Sequence, residues 1–342
     1  MLTHLQIDVT NRCNMNCRHC RNGRLKPEEI TQLNLAEFMD VVDQALALGC
    51  QWINVCGGEP MVHPNILQLV EYASHRCHTN LLTNGYLIDL ECAESLRAAG
   101  VGMVQLSLDG ASPQVHNTMR RNKHAFERVV RAVDALHATG IPVCFMVTMS
   151  RANYETLPRI MQVAQDLGVD FVNLRRLIPQ GNGSDGFDQL GLNRTEVASL
   201  LAEARRLEID HSIGICLFPF YPFGDDQIVA TYRANREPEP CAGCSAGVSG
   251  LAVASDGAIL LCPHIPMPLG NIRTHSLADV WARHETVLAL RGRTQLKGRC
   301  GVCEFRNVCG GCRAYPYQLT GDLMGEDDLC TVTAGIEEPV PC

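Results

Sequence analysis

Eighteen cysteines in a chain of 342 residues restrict this protein more than any other feature, because of how they are spaced. Three pairs stand as CxxC: Cys241 with Cys244, Cys300 with Cys303, and Cys309 with Cys312. Cysteines this close make poor disulfides in most backbones but good chelators. Three more, Cys13, Cys17 and Cys20, lie in the stretch CNMNCRHC directly after the strand-like run LQIDVT. In a reduced compartment such spacing points to metal and not to a disulfide scaffold.

The trio is one ligand short of a closed four-ligand site. In a cubane held by three thiolates the fourth iron has no protein ligand, so it can chelate a small molecule through an amine and a carboxylate. A zinc site that borrows a distant cysteine is the other reading of this octapeptide.

The rest of the composition sets outer limits. With 46% hydrophobic and 19% charged residues the chain is of ordinary globular character, long enough for a large barrel or two domains. Its net charge of -8 argues against a nonspecific grip on nucleic acid or on an anionic membrane surface. No apolar run has the length of a membrane span, and the N-terminus MLTHLQIDVTNRC lacks the pattern of a signal peptide. The expected location is the cytoplasm, with neither nucleic acid nor membrane as partner.

Strand-like and helix-like segments alternate through the first half. Strands are expected at 5–9, 51–56, 78–83, 102–108, 141–149 and 170–177. A helix opening at Asn34, where N-L-A-E resembles a capping box, would place Phe38, Val41, Val42, Ala45 and Leu46 on one face. Such alternation implies parallel strands with crossover helices. Six units are fewer than the eight of a closed barrel. The Gly-rich stretch from Pro179 marks a boundary, followed by a helical segment at 193–208 and the aromatic and proline run CLFPFYPFGDD. From Cys241 onward the chain is rich in cysteine and glycine, with one helix opened by Ser276 and Asp279, and reads as a small metal-built domain. The expected organisation is 1–182, a bridging region 183–240, and 241–342.

These motifs resemble the radical S-adenosylmethionine (SAM) superfamily, whose signature CxxxCxΦC follows the first strand of a partial six-unit barrel; here Φ is His19. CGGEP at Cys56 to Pro60 extends the resemblance. It implies that Gly57, Gly58, Glu59 and Pro60 surround the methionine amino group, and glycines indeed let backbone approach a ligand closely. The segments TNG, with Asn84, and SLDG, with Ser107 and Asp109, end the next two strands, where the family places polar contacts to the cofactor. Ser107 and Asp109 either bind ribose hydroxyls or cap the following turn. Arg120 and Arg121 resemble the source of a guanidinium for the cofactor carboxylate, one of the pair being free to face solvent. RRLIPQG at 175–181 resembles the segment near the adenine and equally suits a core.

The C-terminal cysteines resemble the SPASM extension of the same superfamily. The resemblance implies an outer auxiliary cluster on Cys300, Cys303, Cys309 and Cys330, and an inner one on Cys244, Cys262 and Cys312, with Cys241 as fourth ligand. Only two glycines separate Cys309 from Cys312, where the pattern has three residues. The implied cofactors are therefore three 4Fe-4S clusters, one binding SAM and two auxiliary, together with SAM itself. Of the other cysteines, Cys50, Cys56, Cys77, Cys92, Cys144 and Cys216 read as small buried hydrophobes, and Cys342 as part of a tail.

The activity implied is reductive cleavage of SAM to a 5'-deoxyadenosyl radical that takes hydrogen from substrate, with the auxiliary clusters favouring net oxidation. His264, two residues after Cys262, is a candidate proton acceptor or else a satisfied histidine. A peptide or protein substrate is the first expectation, tetrapyrrole side-chain modification the second, and a small-molecule dehydrogenase the third. A flavodoxin- or ferredoxin-like reductase would supply the electron. Against the peptide reading, the chain begins at the first barrel strand without the module that many peptide maturases use to hold a leader; a separate leader-binding protein could supply it. A non-catalytic zinc or electron-transfer protein is the reading from outside this class.

Overall fold

The computed structural model describes residues 1–23, 25–210, 213–217 and 243–331. Cys241 and Cys342 lie outside the described residues.

Seven parallel strands follow in chain order: β1 His4–Thr10, β2 Trp52–Gly57, β3 His78–Thr83, β4 Met103–Ser107, β5 Val143–Met149, β6 Phe171–Arg176 and β7 Gly214–Leu217. The crossovers between the first six carry α1 Leu35–Ala47, α2 Ile66–Ser74, α3 Leu90–Ala98, α4 Pro113–Arg120, α5 Ala125–Ala138 and α6 Leu157–Asp166. The helix α1 starts as its sequence suggests. The Asn34 side chain accepts the Glu37 N–H, Glu37 accepts the Asn34 N–H, and Phe38, Val41, Val42 and Ala45 are buried, with Leu46 packed at their margin.

Strand alternation sorts the sheet into two faces. Leu5, Ile7 and Val9 of β1, with Ile53, Val55, Leu81, Val104, Leu106, Phe145, Val147, Val172 and Leu174, are fully buried against the helices. The intervening positions carry Gln6, Asp8, Asn54, Asn80, Gln105, Asn173 and Arg175. The concave face of the partial barrel is therefore polar, the side on which a ligand can find hydrogen-bond partners.

The sheet departs from the sequence reading at both edges. After the short helices α7 Asn182–Asp185 and α8 Phe187–Leu190, the helix α9 Arg194–Asp210 leads to β7, which pairs parallel to β6 within the stretch read as a bridge. A four-residue strand, Gly-Ile-Cys-Leu, carries too little pattern to stand out. On the other side β8 Gly250–Val253 pairs parallel to β1, with β9 Ala258–Leu260 and β10 Gly270–Asn271 added antiparallel. One ten-stranded sheet results, in the order β10-β9-β8-β1-β2-β3-β4-β5-β6-β7. The cysteine-rich C-terminal region, with α10 Leu277–Arg283, α11 Glu285–Gly292, α12 Gly298–Val302 and α13 Ala314–Thr320, thus grows from the sheet of the barrel. Ser276 caps α10 by accepting the Asp279 N–H. No helix among the described residues is long and apolar enough to cross a membrane.

Candidate functional site

The ends of β1 to β4 gather the motif residues at one end of the barrel. The loop after β2 is stitched to the start of the cysteine loop: Gly58 N–H donates to Thr10 O at 2.7 Å and Glu59 N–H to Arg12 O at 2.8 Å. Gly57 has φ +146°, and a Cβ built there would stand 2.1 Å from Thr10 O. Gly57→Ala is therefore expected to destabilise the chain by about 1–3 kcal/mol. It should weaken SAM binding as well, checked by thermal unfolding and by calorimetric titration with SAM.

Glu59 turns inward. Its carboxylate accepts the Thr83 hydroxyl at 2.6 Å, the Asn84 N–H at 2.8 Å and the Met61 N–H at 3.0 Å. Burial raises its pKa, against the pull of these bonds. The carboxylate is committed to these bonds, and Glu59 and Pro60 are both buried. Asn84 carries the brace onward, its Nδ2 donating to Asn14 Oδ1 at 2.7 Å inside the cysteine loop.

A second group forms under Cys17. Asp109 is fully enclosed, so it does not present itself to a ribose as one of the two sequence readings had it. Its Oδ2 lies 2.7 Å from Arg120 Nη2 and 3.5 Å from His19 Nε2, and its Oδ1 accepts the Thr148 N–H at 3.0 Å. Burial pushes the Asp109 carboxyl up, but the Arg120 charge foremost holds it below the ordinary value. Arg120 points Nη1 at Cys17 Sγ, 3.7 Å away, whereas Arg121 is exposed in a left-handed turn with φ +51° that ends α4. The pair thus splits into one site guanidinium and one surface guanidinium. His19 is neutral, its pKa lowered to about 4 by burial. Ser107 stays half-buried at the end of β4.

The cysteines fall into three sets by mutual electrostatic influence. Cys13, Cys17 and Cys20 form the first, with Cys13 pushed up to about 12 by burial and by Glu59 and the two other thiols. Cys244, Cys262 and Cys312 form a second, and Cys300, Cys303, Cys309 and Cys330 a third. Each set offers cysteine sulfur alone, with Cys17, Cys300, Cys309 and Cys312 buried, which is the donor chemistry that iron-sulfur clusters take, so these residues fit such clusters. The second and third sets meet directly, Cys244 N–H donating to Cys309 O at 3.1 Å, and both residues line a pocket with Arg293 and Arg313. Among the remaining cysteines, Cys50, Cys56 and Cys144 are buried, Cys77 and Cys92 are half-buried, and Cys216 is exposed. Cys216 departs from the expected burial: it lies on β7, the last strand of the sheet among the described residues.

His264 lies at this end too, its Nδ1 3.1 Å from Gln180 Oε1 in the segment after β6. Burial foremost, then Arg21 and Arg175, lowers its pKa to about 3. Two groups escaped the sequence reading. Arg21, next to Cys20, donates to Asp8 Oδ2 at 2.6 Å, and Cys56 Sγ donates to Asp8 Oδ1 at 3.1 Å, which puts an ion pair inside the barrel. Arg176 at the end of β6 pairs with Asp327 of the C-terminal region. An acidic residue within the apolar run LQIDVT was the available signal for the first.

A sequence model of the Radical SAM superfamily matches residues 7–164, and one of SPASM, an iron-sulfur cluster-binding domain, matches residues 233–312. An AdoMet-dependent heme synthase of Methanosarcina barkeri is 28% identical over 334 residues, 96% of each chain. A PqqA peptide cyclase of Streptomyces rochei is 28% identical over 330 residues, 95% of this chain and 88% of that one. Among solved structures, Streptococcus suis SuiB bound to S-adenosylmethionine superposes with a TM-score of 0.75 at 16% identity, covering 96% of this chain and 77% of that one. The enzyme anSMEcpe with bound AdoMet gives 0.73 at 18%, covering 96% and 94%. These two structures share the fold. With both domain models matched in order along the chain, the protein belongs to the radical SAM superfamily and carries a C-terminal SPASM domain.

Proposed function

We propose that this enzyme carries out a net oxidation on a peptide or protein substrate. The observation that carries the reading is the division of the C-terminal cysteines into two further sets beyond the trio. Cys300, Cys303, Cys309 and Cys330 would hold the outer cluster. Cys244, Cys262 and Cys312 would hold the inner one, with Cys241 completing it. Clusters fully ligated by cysteine leave no iron free to bind substrate, so their use is to accept an electron.

A cluster on Cys13, Cys17 and Cys20, with SAM bound to it, supplies a radical able to remove an unactivated hydrogen. The chain's own residues do the holding. The backbone at Gly57 and Gly58 would take the SAM amino group. Arg120, fixed by Asp109, keeps a cation beside Cys17. The polar concave face orients the substrate, and the helices outside it exclude water. A flavodoxin- or ferredoxin-like reductase would load the electron, and a separate protein would present any leader peptide.

The named peptide cyclase among the relatives supports the peptide reading. A specific observation favours a second reading, tetrapyrrole modification, since a relative named AdoMet-dependent heme synthase matches over 96% of each chain. Co-expression with each short open reading frame beside the gene, followed by mass spectrometry, separates the two. A peptide that loses hydrogen mass supports the first reading. Peptides of unchanged mass, with turnover of a porphyrin carboxylate instead, would replace it by the second. Replacing Cys300 with alanine tests the oxidation step: about 4 iron atoms per chain should be lost, with product formation falling at least about tenfold and SAM cleavage retained. Product formation at the native rate would remove the outer cluster from the reaction.

A further inference from the structure

Only two glycines separate Cys309 from Cys312, and both Gly310 and Gly311 are left-handed, with φ +70° and +64°. A Cβ built on Gly311 would lie 2.9 Å from the Asp327 Cβ and 3.0 Å from Cys300 Sγ. The turn is bare of side chains at the place where Asp327 passes beneath it. Asp327 is 5% exposed and touches three parts of the molecule at once. Its Oδ2 accepts the Cys312 N–H at 2.8 Å, its own N–H points at Cys300 Sγ, 3.5 Å away, and Arg176 grips the carboxylate with both Nη atoms, Nη1 to Oδ1 at 2.9 Å and Nη2 to Oδ2. The two cysteines belong to different sets, and Arg176 belongs to the barrel. The guanidinium also lies 5.0 Å from the centre of the Tyr315 ring, and Arg313 Nη2 stands 3.7 Å from Cys300 Sγ.

A charge pair this deeply enclosed is a costly device for holding two segments together, because a packed apolar contact would serve as well. What it adds is charge of fixed sign at fixed places between two clusters. We propose that Asp327, held by Arg176, sets the reduction potentials of both auxiliary cysteine sets. This rests on the ligand assignment given above. The carboxylate disfavours the added electron of a reduced cluster and the guanidinium favours it, so the two partners act with opposite sign.

The test uses the full chain, reconstituted anaerobically, with iron counted and cluster potentials read by spectroscopically monitored redox titration. Asp327→Asn should keep its iron and raise the potential of at least one auxiliary cluster. Arg176→Gln should lower it, Arg176→Lys should leave it near the native value, and the cluster on Cys13, Cys17 and Cys20 should not move in any of them. Full iron with unmoved potentials overturns the proposal. So does a shift of the same sign in Asp327→Asn and Arg176→Gln, equal iron loss in both, or an Arg176→Lys shift as large as that of Arg176→Gln. Cys300→Ala distinguishes failure of the ligand assignment: if it keeps all its iron, the assignment has failed and not the tie.

Discussion

Cys17→Ala abolishes SAM cleavage: the variant should form no measurable 5'-deoxyadenosine and should hold about 4 iron atoms fewer per chain. Cys17 is the most enclosed of its trio, between exposed Cys13 and half-buried Cys20, and lies against the Arg120 guanidinium. Without its thiolate two ligands remain, too few to hold a cubane. The C-terminal sets lie on other elements and should keep their iron. Iron analysis and chromatography of the nucleoside products after reduction check both points, and cleavage surviving in this variant would exclude the trio as the SAM site.

Arg120→Ala is expected to cost about 3–5 kcal/mol of stability, since it strands Asp109 as an uncompensated buried carboxylate. The other neighbour, His19, stands farther off, its Nε2 3.5 Å from Asp109 Oδ2 against 2.7 Å for Arg120 Nη2. SAM affinity should fall by at least about tenfold, as a fork of donors beside Cys17 disappears. Denaturant titration and calorimetry with SAM measure the two effects. Arg121→Ala, one residue further on an exposed turn, supplies the contrast, with a change within about 0.5 kcal/mol. Equal effects at the two positions would show that the buried pair is not what matters.

The contrast between Arg120 and Arg121 also marks how far the sequence could be read. It presented two adjacent arginines, and only the left-handed turn at Arg121 decides which of them faces inward. The six barrel strands and the helix after Asn34 were legible because each carries its own alternation or cap, as local information. The trio and GGEP were legible for the same reason. The pairs Asp8 with Arg21 and Arg176 with Asp327 were not, because each joins residues on separate elements, the second pair 151 positions apart. Asp109 was located but its neighbours were not, so a buried partner of Arg120 looked like a ribose ligand. The strands β7 and β8 were missed at four residues each, too short for a period to register.

The pairing of β8 with β1 has a consequence for how the chain is made. Thr3 and His4 bond to the carbonyl of Ser249, across 246 residues of sequence for Thr3. During synthesis β1 must wait for the segment that follows Ser249, 246 residues after Thr3, before its outer edge is covered. Until then it offers an open row of amide and carbonyl groups beside three reactive thiols, a template for pairing with another chain. Closing so distant a contact is slow. Chains stopped between the barrel and the cysteine-rich region should therefore aggregate although every barrel element is present, and the C-terminal region acts as a cover for the strand that leads to Cys13 as well as a carrier of clusters.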